Sequence, residues 1–418
     1  MKYKGVKGTR DILPPETDIW RHLESTAAGV FQSFGFREIR VPVMEETQVF
    51  TRSIGDTTDI VEKEMYTFTD RGGRGITLRP EGTAPVVRAL VQNGVFVENP
   101  SGKFFYMGPM FRYERPQAGR YRQFHQIGAE AFGMDDPRLD AEILLMLTVL
   151  LEKLGMENLE CQINSIGCPE CRPRFREAVK VFFAERLDGL CADCKRRHET
   201  NPLRIMDCKV PACVELRAGA PSVLDHLDEA CAAHFKTLTD TLTHLSVPFT
   251  VKPTLVRGLD YYTRTTFEVV AGSLGAQNAV AAGGRYDKLV EEFGGPKTPA
   301  IGFAIGVERM VSLLAESAPE PARPALFIAA LGEPAALRAL GIAAALRKKG
   351  VWAECGYIGS LKSQMRRADK LRARFALIIG DEEVSSGFAQ LRNMETKEQE
   401  LIGLDLIVQE KAAERFSA

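Results

Sequence analysis

The sequence has no apolar run long enough to cross a lipid bilayer, and it has no secretory signal region. Its longest apolar run, Ile143–Leu151, is far shorter than the ~20 residues that a spanning helix needs. The N-terminal residues MKYKGVKGTRDILPPE contain no apolar signal core. These absences predict a cytoplasmic protein without a membrane partner.

An excess of charge of either sign is also missing, because 54 Lys and Arg residues face 55 Asp and Glu residues. A nucleic-acid partner would therefore have to contact local basic patches, since no global positive field exists. We find no internal repeat and no low-complexity segment. The length of 418 residues predicts two to three domains, and the nine cysteines are not expected to form disulfides in a reducing compartment.

The most informative stretch is Phe104–Glu130, where two alternating apolar runs flank a loop containing Pro116 and Gly119. This pattern predicts two paired antiparallel strands joined by a loop. Arginines are concentrated there: Arg112, Arg115, Arg120 and Arg122. Because arginine is permanently charged and binds phosphate or carboxylate with two hydrogen bonds, the stretch indicates a polyanion site. A charged hairpin that only keeps a sheet edge soluble is the alternative.

The rest of the chain divides by pattern. Apolar spacing predicts a helix over Pro14–Phe34, followed by a strand over Arg37–Met44 in which Pro42 fits an edge or an interface. After the linker Ala318–Arg323, a β-α-β-α-β pattern that ends in a last helix predicts a small α/β domain with a mostly parallel core. The predicted boundaries divide the chain into a first part (1–166), a helical cysteine-containing insertion (167–247), a third part in which strands return (248–320) and a C-terminal domain (321–418).

Several motifs together resemble those of the histidyl-tRNA synthetases, which are class II aminoacyl-tRNA synthetases. KGTRDILPPE is typical of the bacterial family, IRVPVMEETQVFTRSIG resembles motif 1 with Pro42, and FRYERPQAGRYRQFHQIG resembles motif 2 with Arg112 and Glu114. AIGVERM resembles motif 3 with Arg309, and LVRGLDYYTRTTFEV and AAGGRYDKLV match the two histidine signatures. The resemblance implies an α+β catalytic domain with a mainly antiparallel sheet, formed by residues 1–166 and 248–320, a helical insertion between these parts and a C-terminal α/β anticodon-binding domain.

The implied activity is ATP-dependent formation of histidyl-adenylate and transfer of histidine to the 3′ end of tRNA-His. An in-line attack on the α-phosphate needs positive charge held in place more than covalent help. The resemblance assigns catalysis to Arg112, Arg257 and Arg309. It assigns ATP binding to these arginines, with Phe124 under the adenine and Glu114 near the adenine or Mg²⁺. An ordinary strand-end salt bridge is the alternative for Arg257.

The resemblance also implies the amino-acid site. Imidazole offers one donor and one acceptor nitrogen, and Glu130 and Tyr262 are assigned to the ring with Tyr286 close by. Glu81, Thr83 and Gln126 are assigned to the α-ammonium group, although Glu81 could equally be a carboxylate at a helix N-terminus. A site built on buried hydrogen bonds rejects analogues by ~10⁴–10⁵, so no editing domain is expected.

For tRNA, the resemblance implies that Arg115, Gln117 and Arg120 meet the acceptor end. A basic stripe with a four-residue period, Lys362, Arg366, Lys370 and Arg374, lies on a predicted helix over Leu361–Arg374. This stripe is the best candidate for contacts with the anticodon arm; a solvated charged face is the alternative. The resemblance further implies a homodimer formed through the first helix and the Arg37–Met44 strand.

The cysteines depart from what the family leads us to expect. Cys168 and Cys171 form one CxxC pair, and Cys191 and Cys194 form another. This spacing predicts a structural zinc ion held by the four thiolates. Two alternatives stay open: Cys208 and Cys213 replace one pair, or no metal is bound.

Two other functions compete with aminoacylation. One is a histidine-sensing regulatory subunit of ATP phosphoribosyltransferase, which shares the catalytic fold; Arg257 and a full C-terminal domain argue against it. The other is a metal-stabilised nucleic-acid-binding module, which would not account for Glu81, Glu130 and Tyr262 together.

Overall fold

The computed structural model describes residues 3–54, 58, 60–116, 119–157, 159–208, 210–256, 258–272, 279–315, 320–357, 359–409 and 416. The chain forms two compact units, residues 1–319 and 320–418. In the part of the chain that the structure describes, no helix is both long and apolar enough to span a membrane.

The first unit contains helices on both sides of its large sheet. They are α1 (Glu16–Ser33), α2 (Gln48–Ile54), α3 (Thr83–Gln92), α4 (Val95–Glu98), α5 (Pro137–Lys153), α6 (Arg172–Ala184), α7 (Ala192–Thr200), α8 (Pro211–Leu216), α9 (Glu229–His244), α10 (Leu289–Glu292) and α11 (Val307–Leu314). A π-helical turn covers Ile60–Glu64. Three 3₁₀ turns cover Leu187–Gly189, Pro202–Asp207 and Val223–His226.

The strands of the first unit are β1 (Arg37–Glu38), β2 (Met44–Glu46), β3 (Tyr66–Thr69), β4 (Gly75–Leu78), β5 (Gly102–Phe111), β6 (Gln123–Phe132), β7 (Leu159–Ser165), β8 (Thr250–Val251), β9 (Thr263–Ala271), β10 (Ala279–Arg285) and β11 (Ala300–Gly306). Eight of them form one sheet in the order β1-β5-β6-β11-β10-β9-β7-β8. Only the outer pairs β1/β5 and β7/β8 are parallel. The sheet is therefore mainly antiparallel, as the sequence predicts, and the arginine-rich stretch forms the β5/β6 hairpin.

The main core lies between this sheet and helices α1, α5, α9 and α11. Leu23, Ala27, Val30 and Phe31 line the buried face of α1 at helical spacing and are all fully buried. Apolar residues at this period stabilise a helix mainly by burying one face against a sheet. This packing holds the strands that carry the candidate site in a fixed register.

The predicted strand over Arg37–Met44 is wrong as a single element. Two residues form β1 in the large sheet, and Met44 begins β2 in a separate sheet ordered β2-β4-β3. Between the two strands, the buried guanidinium of Arg79 donates to the carbonyl of Val41 at 3.0 Å. Pro42 supplies no N–H for a ladder, so the chain changes sheets there.

The insertion is helical, as predicted, and has its own small core. Phe175, Val179 and Phe183 of α6 are buried against the segments around the 3₁₀ turns. Helix α9 ends the insertion, and its Leu238 and Leu242 belong to the main core. The insertion is therefore joined to the large sheet through α9 as well as through the end of β7.

The second unit contains helices α12 (Glu333–Lys348), α13 (Leu361–Lys370) and α14 (Asp381–Ser386) and strands β12 (Leu326–Ala330), β13 (Ala353–Gly356), β14 (Phe375–Ile379), β15 (Phe388–Asn393) and β16 (Gln399–Gly403). The strand order is β13-β12-β14-β15-β16, with β12 parallel to both neighbours and the last two pairings antiparallel. The predicted parallel core is present. Strand β16 was not predicted, and the predicted last helix falls mostly outside the described residues.

Candidate active site

A cavity of about 300 Å³ opens on the large sheet, where β5, β6, β9, β10 and β11 run side by side. Most of the residues predicted for catalysis and for binding of histidine and ATP line it, and so does Arg120 from the predicted tRNA contacts: Glu81, Thr83, Arg112, Glu114, Arg120, Phe124, Gln126, Tyr262, Tyr286 and Arg309. Glu130 is buried directly behind this lining. Residues from the hairpin, both histidine signatures and motif 3 thus meet in one place.

Glu130 is the centre of a buried hydroxyl network. Its carboxylate accepts hydrogen bonds from Tyr286 Oη at 2.5 Å, Thr83 Oγ1 at 2.7 Å and Tyr106 Oη at 3.3 Å. Burial raises the pKa of Glu130 to about 8, although these hydroxyls favour the charged form. A carboxyl group with this pKa exchanges a proton near neutral pH, and its partners fix its orientation.

Tyr261, Tyr262 and Tyr286 line the cavity beside this network. The ring centroids of Tyr261 and Tyr262 lie 4.7 Å apart, and those of Tyr261 and Tyr286 lie 5.7 Å apart. Burial raises the pKa of Tyr106, Tyr261 and Tyr286 well above the usual range, so these hydroxyls stay protonated. This end of the cavity offers flat apolar faces with fixed polar atoms, as a planar heteroaromatic ligand requires.

Glu81 faces the cavity but already has partners. Its carboxylate accepts from the backbone N–H groups of Thr83 at 2.6 Å and Ala84 at 2.9 Å, at the start of α3. These contacts are those of a carboxylate at a helix N-terminus, which was the alternative for Glu81. They stabilise the start of α3 at Thr83. Within the described residues, the side-chain oxygen of Gln126 is buried without a hydrogen-bond partner. This oxygen can accept from a ligand ammonium group without breaking any contact.

The other end of the cavity is cationic. The guanidinium of Arg112 lies 5.2 Å from the ring centroid of Phe124, and its Nε donates to the carbonyl of Pro80 at 2.8 Å. The backbone N–H of Arg112 donates to the carbonyl of Arg122 at 2.9 Å, across the mouth of the hairpin. Arg112 is thus fixed by the strand and by a side-chain anchor before any ligand binds.

Arg309 reaches the same end from α11. Its Nη1 donates to the carbonyl of Ala279 at 2.5 Å, and burial, with the nearby Arg120 and Arg112, lowers its pKa. Arg120 lies 2.9 Å from Glu114 in an ion pair. The carboxylates of Glu114 and Glu268 offset part of the repulsion among these arginines, and an anionic ligand would offset more of it.

A contact that was not predicted from the sequence joins motif 2 to motif 3. The carboxylate of Glu308 accepts from the backbone N–H of His125 at 3.0 Å and lies 3.0 Å from the ring Nδ1 of His125. The His125 ring also meets Trp20 edge-on at 4.9 Å between centroids. Because His125 follows Phe124 and Glu308 precedes Arg309, this pair sets the positions of two predicted ATP contacts. No local sequence signal pairs these two residues.

Two predicted residues, Arg257 and Gln117, lie outside the described residues. The segment that follows Arg257 is anchored by the insertion, through two contacts that were not predicted either. Arg204 Nη2 donates to the carbonyl of Gly258 at 2.9 Å, and Arg172 Nη1 donates to that of Asp260 at 3.3 Å. The insertion thus contacts the backbone that leads to Tyr261 and Tyr262.

The predicted tRNA contacts that the structure describes are exposed or half-buried. Arg115 is exposed in the hairpin loop, whereas Arg120 is half-buried in its pair with Glu114. In the second unit, Lys362, Arg366 and Lys370 are exposed on α13. Arg374 was predicted to lie on the same helix, but α13 ends at Lys370 and Arg374 directly precedes β14. A positive φ of 51° at Arg372 marks the turn that ends the helix.

The predicted zinc ligands do not form one group. Cys168 and Cys171 lie with Asp228 and Cys231, whereas Cys191 and Cys194 lie with Cys208 and Cys213. The predicted set of Cys168, Cys171, Cys191 and Cys194 is therefore corrected. Each CxxC pair offers only two ligands, and the fold supplies a different partner pair to each.

The comparisons agree with this geometry. A family model described as "Histidyl-tRNA synthetase" matches residues 8–168 and 209–310, and one described as "Anticodon binding domain" matches residues 326–412. The histidine–tRNA ligases of Syntrophotalea carbinolica and Trichlorobacter lovleyi are 55% and 54% identical to this chain, over 98% and 97% of each chain. The crystal structure of apo Staphylococcus aureus histidyl-tRNA synthetase is 37% identical, covers 100% of both chains and has a TM-score of 0.81. The predicted fold class is confirmed, and the chain belongs to the histidyl-tRNA synthetase family.

Proposed function

We propose that the chain activates L-histidine with ATP to form histidyl-adenylate and then transfers the histidyl group to the 3′ end of tRNA-His. The observation that carries this proposal is the polarity of one cavity. Glu130, with its fixed hydroxyls, closes one end, and Arg112 and Arg309 occupy the other. This arrangement fits a pair of ligands, one with a hydrogen-bonding ring and the other with a polyphosphate.

Recognition of histidine follows from the network at Glu130. In this proposal the carboxylate faces one ring nitrogen, Tyr262 faces the other, and Tyr286 and Thr83 hold the carboxylate in place. An analogue without both nitrogens would leave buried polar groups unpaired, which is why such a site discriminates strongly. Gln126 accepts from the α-ammonium group, and Glu81 supplies negative charge beside it.

The chemistry takes place at the cationic end. Arg112 orients the histidine carboxylate against the α-phosphate, and Arg309 holds the terminal phosphate. Arg257 is proposed for the α-phosphate on the family resemblance. Phe124 stacks against the adenine. Because the arginines are placed before substrate binds, they stabilise the developing charge with little reorganisation.

Mg²⁺ is expected with ATP in this family. The carboxylates of Glu114 and Glu268 line the same cavity, and carboxylate oxygens are the ligands that Mg²⁺ prefers in proteins. These two side chains would hold the ion, which when bound neutralises phosphate charge.

The tRNA is proposed to contact both units. Arg115, Gln117 and Arg120 of the hairpin loop meet the acceptor end, and Lys362, Arg366 and Lys370 of α13 meet the anticodon arm. The exposure of α13 and the match of residues 326–412 to an anticodon-binding domain support the second contact. We also propose that the chain is divided into domains after residues 166, 247 and 320, as the sequence predicts.

We further propose a homodimer that works in the cytoplasm, where its substrates are. The edge strand β1, the exposed Val43 and Met44 and helix α1 would form the interface. Sedimentation of a fully active monomer at micromolar concentration would contradict this assembly. Structural zinc in the insertion remains part of the proposal, with the four predicted cysteines divided between two groups.

A regulatory role is the second candidate, because a Bacillus halodurans protein titled "ATP phosphoribosyltransferase regulatory subunit/histidyl-tRNA synthetase" shares the fold, with 18% identity and a TM-score of 0.67. The identity above 50% with histidine–tRNA ligases over nearly the whole chain favours the enzyme. Pyrophosphate exchange with each of the twenty amino acids tests the proposal. Exchange with histidine alone, followed by charging of tRNA-His, is expected; binding of histidine without exchange would indicate the regulator.

A further inference from the structure

The cysteines of the insertion form two separate four-ligand clusters. The tetrathiolate cluster is Cys191, Cys194, Cys208 and Cys213, and the mixed cluster is Cys168, Cys171, Asp228 and Cys231. In each cluster the ligand atoms all lie within 4.8 Å of one another. We propose that each cluster binds one zinc ion, so that the insertion carries two structural zinc sites of different composition. This inference does not depend on the proposed aminoacylation.

The spacing of the sulfur atoms fits tetrahedral coordination. A zinc ion with Zn–S bonds of ~2.3 Å separates its sulfur ligands by roughly 3.8 Å. In the tetrathiolate cluster, Cys191 and Cys208 have their sulfurs 3.9 Å apart; in the mixed cluster, those of Cys168 and Cys171 are 3.5 Å apart. All nine cysteines of the chain are free thiols, so none of these ligands is used in a disulfide.

In the mixed cluster, each oxygen of Asp228 has a different task. Oδ1 accepts from the backbone N–H of Cys231 at 2.7 Å and caps α9. Oδ2 points at the thiols, 3.0 Å from the sulfur of Cys168 and 3.2 Å from that of Cys171. A carboxylate that is oriented by a backbone donor on one oxygen and turns the other toward two thiols is arranged as a monodentate zinc ligand.

Both clusters also contain hydrogen bonds from backbone N–H groups to sulfur. The N–H of Cys191 donates to Cys213 at 3.2 Å, and the N–H of Asp228 donates to Cys171 at 3.2 Å. Such donors orient the sulfur atoms, as hydrogen bonds from outside a metal site orient its ligands. In the mixed cluster, Gly167 leaves the space for this arrangement. Its φ is +69°, and a Cβ there would lie 2.6 Å from the Cβ of Cys171.

The insertion gains from such sites because its own core is small. Among the described residues, ten buried residues form that core, and three of them are the thiols Cys194, Cys208 and Cys213. Short elements surround these thiols, and short elements bury little apolar surface. Zinc coordinated by residues from different elements would supply folding free energy directly.

The two ions would hold different parts of the molecule together. The mixed cluster joins the end of β7 to α9, and the tetrathiolate cluster joins α7 and α8 to the 3₁₀ turn Pro202–Asp207. Arg172 directly follows Cys171, and Arg204 lies on that 3₁₀ turn. Both arginines donate to the backbone of the Gly258–Asp260 segment. Each ion would thus position one of these two contacts to the catalytic unit.

The first test is metal analysis of the full-length protein, purified without chelator and without added metal. Two zinc ions per chain are expected. Zinc X-ray absorption should then fit seven sulfur and one oxygen ligand across the two sites, as the clusters are composed. Substoichiometric zinc, a single zinc per chain, iron in place of zinc, or a disulfide within either CxxC pair under reducing conditions would each overturn the proposal.

Substitutions then assign the ions. Cys194→Ser should remove the tetrathiolate zinc alone and Cys231→Ser the mixed-cluster zinc alone, leaving one zinc per chain in each case. Cys161 and Cys355 lie outside both clusters, so the control variants Cys161→Ser and Cys355→Ser should each retain two zinc ions per chain. Retention of two zinc ions by either cluster variant would contradict its ligand assignment.

Asp228→Asn guards against loss of folding, because asparagine caps a helix about as well as aspartate. It should keep α9 intact and weaken zinc binding at the mixed cluster by at least ~10-fold. Mutation of a residue that only supports a metal ligand already lowers metal affinity by ~10–100-fold, and Asp228 is proposed as a ligand itself. Competition with a chromogenic chelator measures that affinity. An unchanged affinity in a folded Asp228→Asn protein would remove the carboxylate from the site.

Discussion

Gly302 lies directly opposite Glu130 in the β6/β11 ladder, and a Cβ at Gly302 would lie 1.7 Å from Oε2 of Glu130. The buried carboxylate therefore occupies the space that a side chain on the neighbouring strand would need. Gly302 is thus part of the proposed histidine site, although it contributes no polar side-chain atom.

The first prediction concerns this pair. Gly302→Ala should displace the Glu130 carboxylate by about an ångström and lower histidine-dependent pyrophosphate exchange by ~10²-fold, because misplacement on that scale disrupts a positioned site. Gly341→Ala in α12 is the control, because nothing lies within 4 Å of a Cβ there. Normal exchange by a folded Gly302→Ala protein would show that the position of Glu130 is not critical.

The second prediction follows from the pKa of Glu130, which burial raises from 4.5 to about 8. The folded state favours the protonated form, so this group's contribution to stability is complete below pH 4.5 and is lost as the pH rises to about 8. Glu130→Gln removes this loss. It should raise the free energy of unfolding of the ligand-free protein by on the order of 4 kcal/mol at pH 8, and by little at pH 4.

The same variant should bind histidine poorly, since glutamine cannot lose a proton to become the negatively charged partner of the bound ring. Urea denaturation at the two pH values and calorimetric titration with histidine measure the two effects. A Glu130→Gln protein that is no more stable at pH 8 would show that the three hydroxyl donors outweigh burial and keep Glu130 ionised in the free enzyme.

The third prediction separates chemistry from amino-acid binding. Arg309→Ala should lower the rate of adenylate formation by several orders of magnitude and raise the KM for ATP, because Arg309 lies at the cationic end of the cavity. The dissociation constant for histidine alone should stay near that of the unmodified protein. If histidine affinity fell as steeply as the rate, Arg309 would support the amino-acid site instead.

The sequence predicted most of the fold because its patterns are local. The β5/β6 hairpin and helix α1 follow from alternation and from helical spacing, each within a short window. The single strand over Arg37–Met44 was wrong because a change of sheet depends on partners distant in the chain, here β5 and β4. Proline marked the interruption but could not indicate where the chain went next.

The site shows the same division. Arg112, Glu130 and Arg309 were identified through motifs, whereas Tyr106 lies in an apolar run and resembles any core aromatic residue. The predicted set of zinc ligands was wrong for a geometric reason. Adjacent CxxC pairs predict one site by spacing, but Asp228 and Cys231 come from a helix about sixty residues later and reach the first pair only in the folded chain.

The fourth prediction concerns Arg204 of the insertion, which contacts the backbone of Gly258 in the first histidine signature. Arg204→Met keeps a long side chain but removes the hydrogen bond to the carbonyl of Gly258. Loss of a hydrogen bond from a charged group is expected to weaken positioning by ~1.5–3 kcal/mol, or roughly 10–100-fold in kcat/KM for histidine activation. Arg174→Met, exposed on α6, is the control and should have no effect.

The fifth prediction tests the basic face of α13. Changing Lys362, Arg366 and Lys370 together to glutamine should weaken binding of tRNA-His and flatten its salt dependence, by roughly 0.7–0.9 unit of log–log slope for each phosphate group that the helix no longer neutralises. Pyrophosphate exchange should be unchanged, because none of these residues lines the cavity. Lys348→Gln, exposed on α12, is the matched control for a charge removed elsewhere in the same unit. A triple variant whose salt slope equals that of the control would show that α13 is only a solvated charged face and that the anticodon arm binds elsewhere.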